Sequence, residues 1–520
     1  MPHSEFNSEQ EAKQAHCHSR YAPELEARRH LDSNLGGRQP ALLFIIGAGR
    51  NFLGKVVRQI LPGAMTVVLQ TCTDFDDSLV DPGDLYWSPG TTYPLESILA
   101  SALSSGKASG GIALIEWPPA LRGHETVLKS IRDCLHQALE LYSSEAATSA
   151  YWGRRWIKNC IDFVCGKGPL ALPGPVSSPV VIACAGPSLD DALPAIKKAG
   201  SLIRLWALAS SHQALSSWGL EPELVISTDP GFWNSAHMAL AARKCSSLAA
   251  TPSTKLGASI LDGCCPIVPV CTGLGFELDA LAAAGDIPSI EASASGTAAG
   301  TALSIAGVLN SGPIYLCGLD LAAKDLAEHA SPYAFDILDE LIASREQPAL
   351  ASRFIRVMER FPRSQGSWRL SRAFSTYALD IASGTVRSNI FRVSSSPIDT
   401  HLECITPERL ASILATGQIM SNPEAEVRIF QRQLTVHARL EAMIDRLTTR
   451  AQRALGTLQK SASTGQPVPR ETVLDLFAFG GKGCSAAIAG TARGKVGRQE
   501  LQEAENAVGS NLKHLAGGHG

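Results

Sequence analysis

The stretch from Val180 to Leu189 restricts the fold of this chain more than any other. Val180-Val181-Ile182-Ala183 is short and wholly apolar. It runs through Cys184-Ala185 into Gly186-Pro187-Ser188, and helical spacing begins at once at Leu189. A short, continuous apolar run bounded by turn residues reads as a buried strand. A strand that turns directly into a helix is the opening of a βαβ unit. Gly186 lets a ligand approach the backbone. Pro187 fixes the turn and removes a donor, and Ser188 is expected to cap the helix. The unpaired N–H groups and positive end of that helix suit a phosphate. The same residues also make an ordinary tight strand-to-helix turn, so this stretch alone leaves both readings open.

The pattern continues on both sides. Downstream, 202–209 and 224–227 read as strands, 189–199 and 211–218 as helices, then 298–309 as a helix and 313–317 as a strand. Upstream, 41–46 is an apolar strand ended by Gly47, followed by a helix at 51–61, strands at 65–69 and 111–115, and helices at 122–142 and 151–164. Alternating strands and helices imply parallel sheets covered by helices. The expected fold class is therefore α/β, with two Rossmann-like parallel-sheet domains followed by a helical C-terminal region. Residues 166–178 hold three prolines, three glycines and two serines and read as a linker. The expected organisation is a flexible lead-in at 1–39, an N-terminal Rossmann-like domain at 40–150, a helix and linker at 151–178, a central domain at 179–400, and a helical region with a flexible tail at 401–520. Within the last, 423–461 is charged and helically periodic, with no strand signal.

Composition narrows the function classes. The chain has 520 residues, 45% apolar and 18% charged, with a formal net charge of −3. That balance suits buried cores and gives no basic excess for a nucleic-acid groove. The N-terminus lacks the apolar core of a signal peptide, and no apolar run reaches the ~18 residues of a spanning helix. Thirteen scattered cysteines, an odd number without C-x-x-C spacing, read as reduced thiols in a cytoplasmic protein.

Further segments could carry chemistry. Val225-Ile226-Ser227-Thr228-Asp229-Pro230 places an acid directly after a strand, where Asp229 could hold a divalent cation or bond a nucleotide, or simply cap a turn. Ser293-Ala294-Ser295-Gly296-Thr297-Ala298 puts small hydroxylated residues before an apolar helix. That arrangement can wrap a phosphate or merely cap the helix. Ile314 to Cys317 is a strand ended by Gly318-Leu319-Asp320-Leu321, with His329 nine positions beyond Asp320. All these segments sit at expected carboxyl ends of strands, where open parallel sheets bind ligands. In the first domain, Gly47-Ala48-Gly49 with Gly54 is a shortened dinucleotide fingerprint. Gln70 stands where a ribose-binding acid would end the second strand, which favours a structural or docking role there.

In order, Gly186-Pro187-Ser188-Leu189, Ile226-Ser227-Thr228-Asp229-Pro230, Ser295-Gly296-Thr297 and Gly318-Leu319-Asp320-Leu321 resemble the motifs of the motility-associated factor (Maf) flagellin glycosyltransferases. That family shares its central domain with 6-hydroxymethylpterin diphosphokinase-like proteins and is similar to bacterial sialyltransferases that use CMP-sialic acid. The resemblance covers roughly residues 178–335, and residues 41–70 also resemble the family's N-terminal α/β domain. It implies a CMP-activated nonulosonic acid as donor and a Ser or Thr hydroxyl of flagellin as acceptor. By the same resemblance, Gly186, Pro187 and Ser188 face the nucleotide, and Ser295, Gly296 and Thr297 cradle its phosphate. Gly318 and Asp320 line the crevice with Asp229. His329 is the candidate base, with His212, His237 and the Asp229 carboxylate as alternatives. The expected partners are flagellin and the nucleotide sugar, with no nucleic acid and no membrane span. No tightly bound cofactor is implied, and Mg²⁺, if used, falls to Asp229.

The chain departs from these relatives at Ala185, where the sialyltransferases have Asn. It departs again at Leu321-Ala322-Ala323-Lys324-Asp325, which lacks a Tyr- and Gly-rich stretch. Two other functions fit the same fold: a pyrophosphoryl transferase acting on a pterin alcohol, which needs carboxylate-bound Mg²⁺, and a non-catalytic flagellin-binding assembly factor.

Overall fold

The computed structural model describes residues 17–75, 77–371, 374, 377, 378, 381, 389–416, 427–492 and 496–517. The expected lead-in up to residue 16 and the last residues of the expected tail, 518–520, lie outside the described residues. Contacts divide the chain into two units, Met1–Arg154 with Thr448–Gly520, and Arg155–Leu447.

In the first unit, β1 (Leu42–Ile46), β2 (Met65–Leu69), β3 (Leu85–Trp87) and β4 (Ile112–Glu116) form a parallel sheet in the order β3-β2-β1-β4. β1 is central, and alternate residues go to opposite cores. Leu43 and Ile45 pack with Val68, Ile115 and Leu31, whereas Leu42, Phe44 and Ile46 pack with Val67, Leu99 and Ile131. Burial on both faces explains the unbroken apolar run, at about 1.5–3 kcal/mol per large side chain.

Part of the expected lead-in is a helix, Pro23–Leu35, which ends at Gly36 with φ +55°. Ala27, Leu31 and Leu35, four apart, are its buried stripe, and the surrounding charges hide that stripe in the mean composition. The helices expected at 122–142 and 151–164 are one, Glu125–Cys165 of 41 residues. No Gly or Pro interrupts the intervening Ser143–Ala150, so nothing breaks the helix there.

Helices Arg470–Gly480, Ser485–Ala492 and Arg498–Gly517 belong to this unit, not to a separate C-terminal body. The Ser149 hydroxyl donates to the Leu474 carbonyl at 2.9 Å. A Cβ on Gly153 would lie 2.2 Å from Ala478 Cα, so that contact requires glycine. The stretch Arg470–Thr491 is long and apolar enough to cross a membrane by length and composition, and 56% of its apolar window is buried within the fold, as in a core helix.

The shortened glycine loop of this unit is filled by the chain itself. Gln70 Oε1 accepts from the Gly49 N–H at 3.2 Å and Gln70 Nε2 donates to the Gly49 carbonyl at 2.8 Å. The Arg50 N–H meets His18 Nε2 at 3.1 Å. Side chains stand where a pyrophosphate would need the backbone, in keeping with a structural loop.

Among the described residues, the second unit is built on an eleven-stranded sheet. Its strands are β5 (Leu170–Pro173), β6 (Val180–Ala183), β7 (Arg204–Leu208), β8 (Leu224–Ser227), β9 (Ser247–Ala250), β10 (Ile267–Cys271), β11 (Ile290–Glu291) and β12 (Ile314–Cys317), then β16 (Ile390–Val393), β17 (Glu403–Ile405) and β18 (Val427–Phe430). The order is β17-β16-β12-β6-β7-β8-β9-β10-β5-β18, with β11 on β10, and every pair is parallel except β5–β18. A small antiparallel sheet, β13 (Ala323–Lys324), β15 (Trp368–Leu370) and β14 (Arg363–Gln365), stands apart.

Two expectations change here. The segment 166–178 is no linker, because Leu170–Pro173 is a strand between β10 and β18. The region from 401 is not wholly helical, because β17 and β18 join the central sheet. Helix Ala298–Leu309 covers one face, with Ala302, Ile305 and Ala306 against Val180, Ile182, Ile314 and Leu316. The chain runs from β6 outward through β7 and β8 to β10, then returns beside β6 as β12 and runs the other way. β6 and β12 therefore flank a topological switch point, where doubly wound sheets bind ligands.

Candidate functional site

The turn after β6 and the turn after β12 are locked together. The Cys184 N–H donates to the Cys317 carbonyl at 2.8 Å, and the Gly186 N–H to the Gly318 carbonyl at 2.9 Å. A Cβ on Gly186 would meet Asp320 Oδ2 at 2.5 Å and the Gly318 carbonyl at 2.6 Å. Gly318 has φ +77°, and its Cβ would strike Leu189 Cβ at 2.8 Å. Both glycines are demanded by close approach, and Gly318 also by its backbone conformation.

Asp320 is the anchor beneath this arrangement. It is 1% exposed. Its carboxylate accepts the Ser188 N–H at 2.7 Å, the Ser188 hydroxyl, and the Ser394 hydroxyl at 2.5 Å. Arg392 donates Nε to the Leu319 carbonyl at 2.8 Å and Nη2 to Ser394 at 3.1 Å. Ser396 donates to the Asp320 carbonyl at 2.6 Å. Burial holds the Asp320 carboxyl above its ordinary range, against the opposing pull of Ser188, Ser394 and Arg392. Ser188 is thus no helix cap: it has helical backbone angles and makes no side-chain cap. Its hydroxyl goes inward to Asp320, and Pro187 is likewise buried in the turn.

A cavity of about 190 Å³ opens at the carboxyl ends of β6 and β12. Ala185, Gly186, Thr297, Gly318, Asp320 and His329 line it, so several of the sequence-derived site residues meet there. Thr297 caps helix Ala298–Leu309, its hydroxyl accepting the Gly300 N–H at 3.1 Å. Thr297, Ala298 and Ala299 carry the positive helix end to the cavity wall. Ser295 and Gly296 are not among the lining residues. Ser295 Oγ accepts the Thr297 N–H at 3.4 Å, and Gly296 packs on the Tyr377 ring. These residues shape the loop that presents Thr297.

His329 stacks on Tyr333, with ring centroids 3.9 Å apart and planes 3° from parallel. Burial, with help from the Arg360 charge, lowers its pKa to about 4, so it is neutral at physiological pH. Asp229 lies on the same edge of the sheet but outside this cavity. It is exposed, and its Oδ1 accepts the Gly231 N–H at 2.7 Å. β8 is three strands from β12, about 14 Å at ordinary strand spacing. His237 faces Tyr333, with Nε2 3.4 Å from the phenol oxygen, and burial lowers its pKa while Asp229 opposes that. The ring nitrogens of buried His212 have no hydrogen-bond partner among the described residues.

Among the described residues, no group of three His, Cys, Asp or Glu could hold a metal ion. Asp320 is spent on hydroxyls and an N–H, and Asp229 stands apart. The described residues do not fit a carboxylate-bound Mg²⁺ in the cavity.

Sequence reasoning missed the remaining walls. Glu328, Arg360, Phe361 and Phe374 also line the cavity. Phe361 and Phe374 stack at 5.2 Å, and the Arg360 guanidinium lies 5.3 Å from the Phe374 ring centre. No local motif marks them: Glu328 directly precedes His329, and Arg360, Phe361 and Phe374 come from the end of helix Ala349–Arg360 and the chain beyond it. Arg392 and the serines after β16 did carry a signal, a hydroxyl-rich Ser394-Ser395-Ser396 following an apolar strand.

Residues 166–326 match the family described as 6-hydroxymethylpterin diphosphokinase MptE-like. The match covers β5 to β12 and so both turns of the switch point. A Maf glycosyltransferase from Magnetospirillum magneticum AMB-1 superposes with a TM-score of 0.54 at 12% identity, over 94% of this chain and 83% of that one. The shared feature is the fold, two Rossmann-like parallel-sheet units with helices at the C-terminus, and it extends the likeness well beyond the MptE-like segment. A protein of Treponema pallidum (strain Nichols), titled uncharacterized, is 27% identical over 242 residues, 43% of this chain. That match spans about half of the relative's length, 49%.

Proposed function

We propose that this chain is a glycosyltransferase of the Maf type, moving a sialic-acid-like nonulosonic sugar from a CMP donor to Ser or Thr hydroxyls of flagellin in the cytoplasm. The observation that carries this reading is the cavity at the β6/β12 switch point. It gathers Gly186, Thr297, Gly318, Asp320 and His329 from separate motifs beside a helix N-terminus. The fold shared with a Maf glycosyltransferase supports it.

The chemistry asks mainly for positioning and for stabilisation of the departing phosphate. Thr297 and the N–H groups of Ala298 and Ala299 would receive that phosphate as its charge grows. Gly186, with no side chain, would let the nucleotide rest on the backbone. Phe361 and Phe374 offer an aromatic face to a base or sugar. His329, neutral and at the cavity wall, would take the proton of the acceptor hydroxyl. Asp320 acts beneath the surface, holding the two turns in register.

The MptE-like match also brings up pyrophosphoryl transfer to a pterin. That reaction calls for carboxylates converging on Mg²⁺, and Asp229 and Asp320 do not converge. The test is the intact mass of flagellin incubated with this protein and a CMP-nonulosonate. An increase of one sugar residue per modified site is expected. Unchanged flagellin mass, with turnover of ATP and a hydroxymethylpterin instead, would overturn the reading.

A further inference from the structure

Helix Ala349–Arg360 ends at the cavity and delivers a cation to it. Arg360 Nη1 is held by Glu328 Oε2 at 2.8 Å, and Glu328 Oε1 takes Arg356 Nε at 3.1 Å. Arg356 is matched in turn by both carboxylate oxygens of Asp339, at 3.0 and 2.8 Å. The Glu328 side chain is only 8% exposed, so it is a fixed post, whereas the Arg360 side chain is 53% exposed. The guanidinium also lies over the Phe361 and Phe374 rings, 5.7 and 5.3 Å from their centres. One edge of the fork is therefore pinned and its plane is supported. Nε and Nη2 carry no hydrogen bond to any described residue.

A guanidinium has five N–H donors and pairs with a carboxylate through two of them. The cavity thus has two attractors for negative charge, the N-terminus of helix Ala298–Leu309 and the free edge of Arg360. We infer that Arg360 reads a carboxylate on the donor sugar, so that the crevice takes a ligand with two separate anionic groups, a phosphate and a sugar carboxylate, in preference to a neutral-sugar nucleotide. This rests on the donor assignment proposed above and assigns a residue to it. Arg360 is also the charge that, after burial, most depresses the His329 pKa. A carboxylate on Arg360 offsets that charge and makes His329 a better base once the donor is bound.

The experiment titrates the full-length chain with CMP, which has the phosphate alone, and with CMP-N-acetylneuraminic acid, which has both groups. It uses the wild type, Arg360→Gln and Arg360→Lys. Glu328 keeps Arg356 in the variants, and melting curves check the fold. Loss of one charge-assisted hydrogen bond is expected to weaken the acid-sugar nucleotide on the order of tenfold in Arg360→Gln, with CMP changed less than about twofold and Lys partly restoring the difference. Equal weakening of both ligands would assign Arg360 to the phosphate, and no weakening of either would remove it from the site; each overturns the inference. A wild type that binds CMP but not the acid-sugar nucleotide overturns it as well, while leaving the cavity a nucleotide site. A wild type that binds neither overturns the donor assignment itself.

Discussion

Ser188 donates both its backbone N–H and its hydroxyl to the carboxylate of Asp320, 132 positions further along the chain. One pair of residues thereby ties the turn after β6 to the turn after β12, and those turns form the floor of the cavity. Asp320→Ala would leave the Ser188 and Ser394 donors buried without an acceptor. The expected loss is about 3 kcal/mol, within the range for breaking a buried network. Asp320→Asn retains an acceptor and should lose less. Urea unfolding measures both, and an Asp320→Ala protein within ~0.5 kcal/mol of wild type would show that the tie is unimportant.

Gly186→Ala places a methyl group 2.5 Å from Asp320 Oδ2 and 2.6 Å from the Gly318 carbonyl. Backbone must move to admit it, which costs about 1–3 kcal/mol. The turn shifts toward the cavity, so CMP affinity should fall together with stability. Paired melting and CMP titration read both effects. Unchanged affinity in a destabilised variant would separate this turn from the ligand.

Thr297 acts first as a cap. Thr297→Ala should destabilise the protein by about 1 kcal/mol, and Thr297→Ser should retain most of the wild-type stability and CMP binding. A Ser variant as impaired as Ala would point to a role for the Thr297 methyl group in packing.

His329 gives stability a pH dependence of defined sign. Its folded pKa is depressed to about 4, below an unfolded value near 6.5. Between those values the unfolded chain binds the extra proton, so stability is full above about pH 6.5 and declines as pH falls toward 4. At about 1.4 kcal/mol per pKa unit, the contribution is on the order of 3 kcal/mol. His212 and His237, also lowered by burial, add in the same direction. Melting temperatures of wild type and His329→Gln between pH 7 and pH 4.5 are expected to converge as pH falls. Parallel curves would show that His329 titrates normally.

The sequence made the central βαβ units legible because their signals are local. Val180–Ala183 and Leu189–Ala199 have the boundaries that apolar run and helical spacing predict. What it concealed depends on distant partners. Leu170-Ala171-Leu172-Pro173 looks like linker because prolines and glycines surround it, and it is a strand only because β10 and β18 lie beside it. Helix Pro23–Leu35 is polar on average, and its stripe matters only once β1 is in place. In the site, the glycines, Thr297 and His329 could be read from motifs. Arg360 and Phe374 could not, because they reach the cavity through tertiary packing with no local pattern. Ser188 was found at the right turn with its side chain in the wrong role, since only the folded chain brings Asp320 beneath it.

The proposed function stands or falls on where a nucleotide binds. A crystal structure of the full chain with CMP tests that directly. The phosphate is predicted within hydrogen-bond distance of the Ala298 and Ala299 N–H groups, with the nucleotide over Gly186. CMP bound elsewhere, or a cavity empty of CMP at saturating concentration, would contradict it.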